Sequence, residues 1–169
     1  MSAPIRKLMS PDVLSQNARN HIDHWIQKYP KEHKQSAVIA ALTFIQEENG
    51  GWLTQELMDG VASYLGMPKI AVFEVATFYS MFEIKPVGKH KICVCTNISC
   101  MLSGSEEVVD YLKKKLDIGL GETTKDGKFT LKSVECLAAC CGAPAMQIGH
   151  DYYENLDSKK IDEILATKE

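Results

Sequence analysis

Apolar residues in the first half of the chain recur at intervals of three and four, the spacing of helices that bury one face. In the second such segment Val38, Ala41, Leu42 and Ile45 fall on one side of a helix. Four amphipathic segments joined by short turns predict a small helical bundle. With their predicted ends, the segments run from a Ser10–Pro11 cap to Pro30, over residues 36–48, from a Thr54 cap to Gly66, and from Pro68 to Phe82.

The pattern changes at residues 85–90, a Lys-Pro-Val-Gly-Lys-His stretch that interrupts the helical spacing and is predicted to join two domains. Residues 1–84 are predicted to form a helical domain, and residues 85–169 a domain of alternating strands and helices. The order strand, helix, strand, hairpin, helix resembles a thioredoxin-like α/β layer, so the predicted fold class is α+β. The predicted elements are a strand at 90–94, a helix after a capping box at 103–106, a strand at 129–134, a hairpin at 145–154 and a helix at 158–167.

Composition narrows the class of protein without identifying it. A chain of 169 residues has room for one ordinary domain, or for a small domain with a helical extension. The net charge of −3 does not indicate nucleic acid or an anionic membrane surface as a partner. No apolar run reaches the ~18–20 residues that a membrane span needs, and residues 1–7 contain no apolar core of signal-peptide length. A reducing compartment is therefore expected, where clustered cysteines are more often metal-binding or catalytic than disulfide-bonded.

The six cysteines fall into two tight groups, and four of them form two pairs. The pairs are Cys95-x4-Cys100 and Cys136-x3-Cys140, and each follows a predicted strand. Short loops after strands can curl back and direct both thiolates and backbone N–H groups toward one centre. Four thiolates that converge in this way can hold a [2Fe–2S] cluster.

Spacing alone leaves other interpretations open. Zinc also takes four cysteines in a closed tetrahedral site. Disulfides are disfavoured by the expected compartment, a thiol–disulfide enzyme by the lack of a C-x-x-C motif, and a Rieske centre by the lack of histidine in either group. Cys93 lies two positions before Cys95 and is interpreted as a buried apolar residue of the strand. Cys141 adjoins Cys140, so a pair formed by Cys136 and Cys141 also stays possible.

Sequence motifs for other chemistries are missing. The chain contains neither G-x-G-x-x-G nor G-x-x-x-x-G-K-[ST], so no dinucleotide or nucleotide site is expected on it. No nucleophile–base motif is visible either. A cluster without a substrate pocket is predicted to relay electrons.

Beside the cysteine pairs, three segments carry a family resemblance. They are residues 47–52 (Glu-Glu-Asn-Gly-Gly-Trp), 75–82 (Val-Ala-Thr-Phe-Tyr-Ser-Met-Phe) and 85–89 (Lys-Pro-Val-Gly-Lys). Together they resemble the NuoE-type subunit of respiratory NADH:quinone oxidoreductase, complex I, over residues 10–166 in order. The resemblance implies a helical region followed by a thioredoxin-like ferredoxin domain. It also implies one [2Fe–2S] cluster, with the ligands Cys95, Cys100, Cys136 and Cys140.

The resemblance further implies a role in electron transfer. In that family the cluster lies off the main electron path and exchanges one electron with the FMN of a neighbouring subunit, which oxidises NADH. FMN and NADH are therefore expected on the partner and not on this chain. The implied partners are that flavin subunit and other peripheral-arm subunits, on the cytoplasmic face of the bacterial inner membrane and without direct membrane insertion.

Three alternative functions stay open. The chain can be the equivalent subunit of an NAD-dependent hydrogenase or formate dehydrogenase, which keeps the chemistry and changes the complex. A free-standing thioredoxin-like ferredoxin is disfavoured, because a soluble carrier does not need the helical domain. A structural zinc protein is the alternative from another class.

Overall fold

The computed structural model describes residues 13–168. These residues form two compact units, which meet in sequence at the Pro86–Val87 bond. The first unit is helical, and the second contains a four-stranded sheet. The fold class predicted from the sequence, helices followed by a thioredoxin-like α/β domain, is confirmed.

The first unit contains four α-helices that pack around one apolar core. The core includes the predicted face of the second helix, whose four apolar residues are all buried. The helices are α1 (Gln16–Ile26), α2 (Val38–Glu48), α3 (Gln55–Leu65) and α4 (Lys69–Phe78).

Helix ends in this unit agree with the sequence in some places and differ in others. The Thr54 hydroxyl accepts a hydrogen bond from the Leu57 N–H, and α3 ends at Gly66 in the left-handed conformation, both as predicted. The predicted Ser10–Pro11 cap lies outside the described residues, and Ser15 caps α1 by accepting from the Ala18 N–H.

Two other helix boundaries were predicted wrongly. Helix α2 starts at Val38, because residues 31–37 before it form a 3-10 helix that the apolar pattern did not distinguish. Helix α4 was expected to continue to Phe82 and ends at Phe78, since Tyr79 adopts an extended backbone conformation. Phe82 is nevertheless buried, in the segment after the helix.

A buried amide fixes the segment that follows α4. Gln46, which is 9% exposed, donates from Nε2 to the Met81 carbonyl at 3.1 Å and accepts from the Glu83 N–H at 2.7 Å. The Leu53 N–H donates to the Glu83 carbonyl at 2.7 Å. With this backbone held in place, several large apolar side chains around it remain exposed: Phe78, Tyr79, Met81 and Ile84.

The second unit is built on a mixed sheet with the strand order β2-β1-β3-β4. Strands β1 and β2 are parallel, β3 is antiparallel to β1, and β4 forms a hairpin with β3 across Gly149 and His150. Apolar residues from the sheet pack with those of two helices in one core. The elements are β1 (His90–Cys95), β2 (Phe129–Val134), β3 (Met146–Ile148), β4 (Asp151–Tyr153), α6 (Ser105–Leu116) and α7 (Ser158–Ala166), with the short helix α5 (Ile98–Leu102) between β1 and α6.

The predicted capping box at residues 103–106 was wrong. Ser103 ends the short helix α5, and its N–H donates to the Ser99 carbonyl. Gly104, with φ of 94°, then turns the chain into α6 in the left-handed conformation that glycine favours. Among the described residues, no side chain caps α6. Within residues 13–168, no helix combines the length and the apolar character that crossing a membrane requires.

Replacement of Gln46 by alanine is expected to destabilise the helical unit by about 1–3 kcal/mol, because it removes both amide hydrogen bonds to the 81–83 segment from a buried position. Denaturant unfolding followed by tryptophan fluorescence measures this, since Trp25 and Trp52 both belong to this unit. The exposed Gln27 provides the control, as Gln27→Ala removes an amide of the same size. Equal stability of the two variants would contradict the role assigned to Gln46.

Candidate metal centre

The two cysteine pairs meet at one edge of the sheet because the strands that precede them are parallel. Cys95 is the last residue of β1 and pairs in register with Val134, the last residue of β2. Cys136 follows Val134 by two residues. The Cys95 thiol lies 3.9 Å from the Glu135 carbonyl oxygen, to which it donates, so the first pair directly contacts the loop of the second.

The first pair is buried. Cys95 is 3% and Cys100 is 2% exposed, and the two thiols are hydrogen-bonded to each other. Helix α5 begins after Asn97, whose side-chain oxygen accepts from the Ile98 N–H, and it directs Cys100 inward. Ala145 completes the buried cluster, with apolar loop residues packed around it.

The second pair is exposed and lies in a loop that curls back on itself. The Ala138 N–H donates to the Cys136 sulfur at 3.3 Å. Ala138 has φ of 56°, a left-handed conformation that is unusual for alanine and that reverses the loop tightly. Cys140 then begins a single 3-10 turn, Cys140–Gly142.

The electrostatic environment of the buried pair favours a thiolate at one position. Burial opposes ionisation of Cys95, but the N–H groups of Asn97 and Leu137 donate to its sulfur and hold its pKa below the ordinary value. For Cys100, burial and the hydrogen bond with Cys95 raise the pKa, and the charges of Cys95 and Cys140 add to this. The Ala145 N–H, which donates to the Cys100 sulfur, acts in the opposite direction.

These contacts fit a thiolate-bound iron–sulfur cluster. N–H groups of Asn97, Leu137, Ala138 and Ala145 are directed at three of the four sulfurs, and such hydrogen bonds stabilise negative charge on cluster ligands. Within residues 13–168, no group of three or more His, Cys, Asp or Glu side chains is close enough to hold a single metal ion. A [2Fe–2S] cluster takes its four thiolates as two pairs, one for each iron.

The other two cysteines occupy different positions. Cys93 is half-buried in β1, where its neighbours are Lys132 and Gln147 on the adjacent strands, so the prediction of a buried apolar residue was wrong. Cys141 is exposed in the 3-10 turn beside Cys140. Within the described chain none of the six cysteines forms a disulfide.

Contacts from the end of β4 fix the second cysteine loop. The Asn155 N–H donates to the Gly142 carbonyl at 2.6 Å, and the Leu156 N–H donates to the Pro144 carbonyl at 3.2 Å. Gly142 has no room for a side chain, since a Cβ built there would lie 2.5 Å from the Cβ of Glu154. The loop and residue 154 therefore approach each other as closely as glycine permits.

Comparison with known proteins gives the class first. The sequence model of the thioredoxin-like [2Fe-2S] ferredoxins matches residues 22–169, which include all four paired cysteines. In structure, the chain is similar to an NAD+-reducing [NiFe]-hydrogenase, with a TM-score of 0.67 and 20% identity over 78% of this chain. The match spans 22% of the hydrogenase chain. At this identity the similarity shows the fold alone.

Curated relatives are more specific. The NuoE-type subunit of NADH-quinone oxidoreductase from Rickettsia felis is 49% identical over 140 residues, which cover 83% of this chain and 84% of the relative. The mitochondrial NADH dehydrogenase [ubiquinone] flavoprotein 2 of Dictyostelium discoideum is 46% identical over 137 residues, covering 81% of this chain and 56% of that protein. The chain belongs to the family of NuoE-type subunits of NADH-quinone oxidoreductase, within the thioredoxin-like [2Fe-2S] ferredoxins.

The substitution Gly142→Ala is expected to destabilise the second unit by about 1–3 kcal/mol, because the new methyl group overlaps Glu154 and forces the loop to shift. Thermal unfolding followed by circular dichroism measures the loss. Gly119→Ala is a matched control, since its Cβ would meet only the flexible end of Glu122, at 3.2 Å. An unchanged melting temperature for Gly142→Ala would show that the loop does not depend on this close approach.

Proposed function

We propose that this chain is an electron-transfer subunit of an NADH-quinone oxidoreductase and that it binds one [2Fe–2S] cluster through Cys95, Cys100, Cys136 and Cys140. The observation that supports this most directly is the meeting of both cysteine pairs at one edge of the sheet, with backbone N–H groups directed at their sulfurs. The named relatives at 47–49% identity supply the complex.

The residues of the chain bind the cluster and control its surroundings. When bound, a [2Fe–2S] cluster accepts and returns one electron. The thiolates hold it, the N–H groups of Asn97, Leu137, Ala138 and Ala145 stabilise its negative charge, and the apolar residues around Cys95 and Cys100 keep water from the buried side. No substrate binds on this chain in the proposed reaction.

The exposed pair marks the side on which electrons are exchanged. Cys136 and Cys140 are exposed, whereas the first pair is buried, so a partner reaches the cluster from the loop of the second pair. Large apolar side chains of α5, namely Ile98, Met101 and Leu102, are exposed on the short helix that carries Cys100. We assign the partner as the neighbouring subunit that binds FMN and oxidises NADH, with electron exchange between its FMN and this cluster.

The wider assembly follows from the same relatives. Other peripheral-arm subunits are proposed to contact the chain, which then lies on the cytoplasmic face of the bacterial inner membrane without entering it. The equivalent place in an NAD-dependent hydrogenase or formate dehydrogenase requires the same chemistry. The identity with the NuoE-type relatives favours NADH-quinone oxidoreductase over both.

Anaerobically purified protein is expected to contain two irons and two acid-labile sulfides per chain, the composition of one [2Fe–2S] cluster. The measurement combines metal and sulfide analysis with the visible spectrum and the EPR signal after dithionite reduction. A rhombic signal from one-electron reduction is the expected result. Stoichiometric zinc in a colourless protein, after expression with ample iron, would instead make this a structural zinc protein and end the electron-transfer proposal.

Serine substitutions distinguish the proposed ligand Cys140 from its neighbour. Cys140→Ser is expected to lose the cluster or change its EPR signal, because serine oxygen replaces a thiolate ligand, whereas Cys141→Ser is expected to keep the normal signal and iron content. The two variants differ by one position in the same exposed turn and so control for each other. The opposite result would move the ligand to Cys141.

A further inference from the structure

A carboxylate lies against the turn that carries Cys140. A side chain on Gly142 would overlap Glu154, whose Cβ and carboxyl carbon both lie 2.5 Å from the position of that Cβ. The Glu154 carboxylate thus lies where a side chain on Gly142 would be, in the same 3-10 turn as Cys140. The Asn155 N–H bond to the Gly142 carbonyl keeps the two segments in this arrangement.

A second carboxylate lies at the other end of the same loop. Glu135 directly precedes Cys136, and its carbonyl oxygen accepts from the Cys95 thiol. Its negative charge is felt at that thiol, where it disfavours the thiolate alongside the larger effect of burial. The loop with the two exposed cysteines is therefore flanked by a carboxylate on each side.

One nearby cation acts against this charge. The Lys160 ammonium donates to the Glu154 backbone carbonyl at 2.6 Å, so it lies close to the same segment. Two carboxylates and one ammonium leave a net negative charge beside the loop. Glu135 and Glu154 are both exposed, so water and salt weaken their influence without abolishing it.

We propose that Glu135 and Glu154 lower the reduction potential of the cluster bound by the four cysteines, an inference that rests on the proposed function. Reduction adds one negative charge to the cluster, and fixed negative charge nearby makes that addition less favourable. The two carboxylates thus oppose the backbone N–H groups, which favour the reduced state. The balance between these two sets of groups decides how readily the cluster accepts an electron.

The test is an EPR-monitored redox titration of the cluster-loaded full chain, with the variants Glu135→Gln, Glu154→Gln and the double variant. Glutamine keeps the size of the side chain and removes its charge. Each single variant is expected to increase the equilibrium constant for one-electron reduction about threefold to tenfold. At about 59 mV per tenfold change, this is a rise of about 30–60 mV in the midpoint potential. The double variant is expected to show the sum.

Two comparisons separate a charge effect from a structural one. Glu163→Gln removes the same charge from an exposed position on α7, and it is expected to leave the potential close to that of the unchanged chain. The rise is also expected to shrink between low and high salt, because ions screen exposed charges. A rise that is equal at both salt concentrations, or that Glu163→Gln reproduces, would overturn the assignment.

The outcomes also separate this inference from the proposed function. A normal iron and sulfide content with unchanged potentials in all three variants would overturn the role of the carboxylates and leave the cluster in place. The lack of any cluster in the unchanged chain would overturn both. Glu154→Lys provides a further check, since reversal of the charge is expected to raise the potential more than neutralisation does.

Discussion

The parallel pairing of β1 with β2 is the constraint on which the candidate metal centre depends. Cys95 ends one strand and Cys136 follows the end of the other, and only parallel strands bring these two ends to the same edge. Parallel neighbours need a long crossover, which α5 and α6 supply within the second unit. A change that weakens this pairing therefore separates the cysteine pairs even when every thiol is intact.

The two pairs meet in unlike surroundings, and this difference shapes the chemistry. Cys95 and Cys100 lie in an apolar pocket where backbone N–H groups replace water as partners of the sulfur. Cys136 and Cys140 face outward, within reach of solvent, salt and side-chain charge. The buried side is therefore fixed by the fold, whereas the exposed side responds to substitutions of surface residues, to ionic strength and to any partner that covers it.

Long apolar patterns in the sequence predicted the helical bundle, the two parallel strands and the closing hairpin, because each repeats over enough residues to define a period. Helix α5 was not predicted, since five residues are too few to show one. Asn97 and Ala138 were anticipated as N–H donors because they lie inside the cysteine loops. The Ala145 donor and the contact between Gly142 and Glu154 depend on tertiary proximity, so no local pattern indicates them.

The same reasoning extends to the helical unit, where one buried amide decides what the surface presents. Gln46 holds the backbone of residues 81–83, so the exposed Phe78, Tyr79 and Met81 surround a segment that is already ordered. A surface with a fixed backbone loses less conformational freedom when another protein covers it, and more of the apolar contact then remains as affinity. For a chain whose relatives are subunits of a larger oxidoreductase, this order in the isolated unit favours assembly without a folding step at the interface.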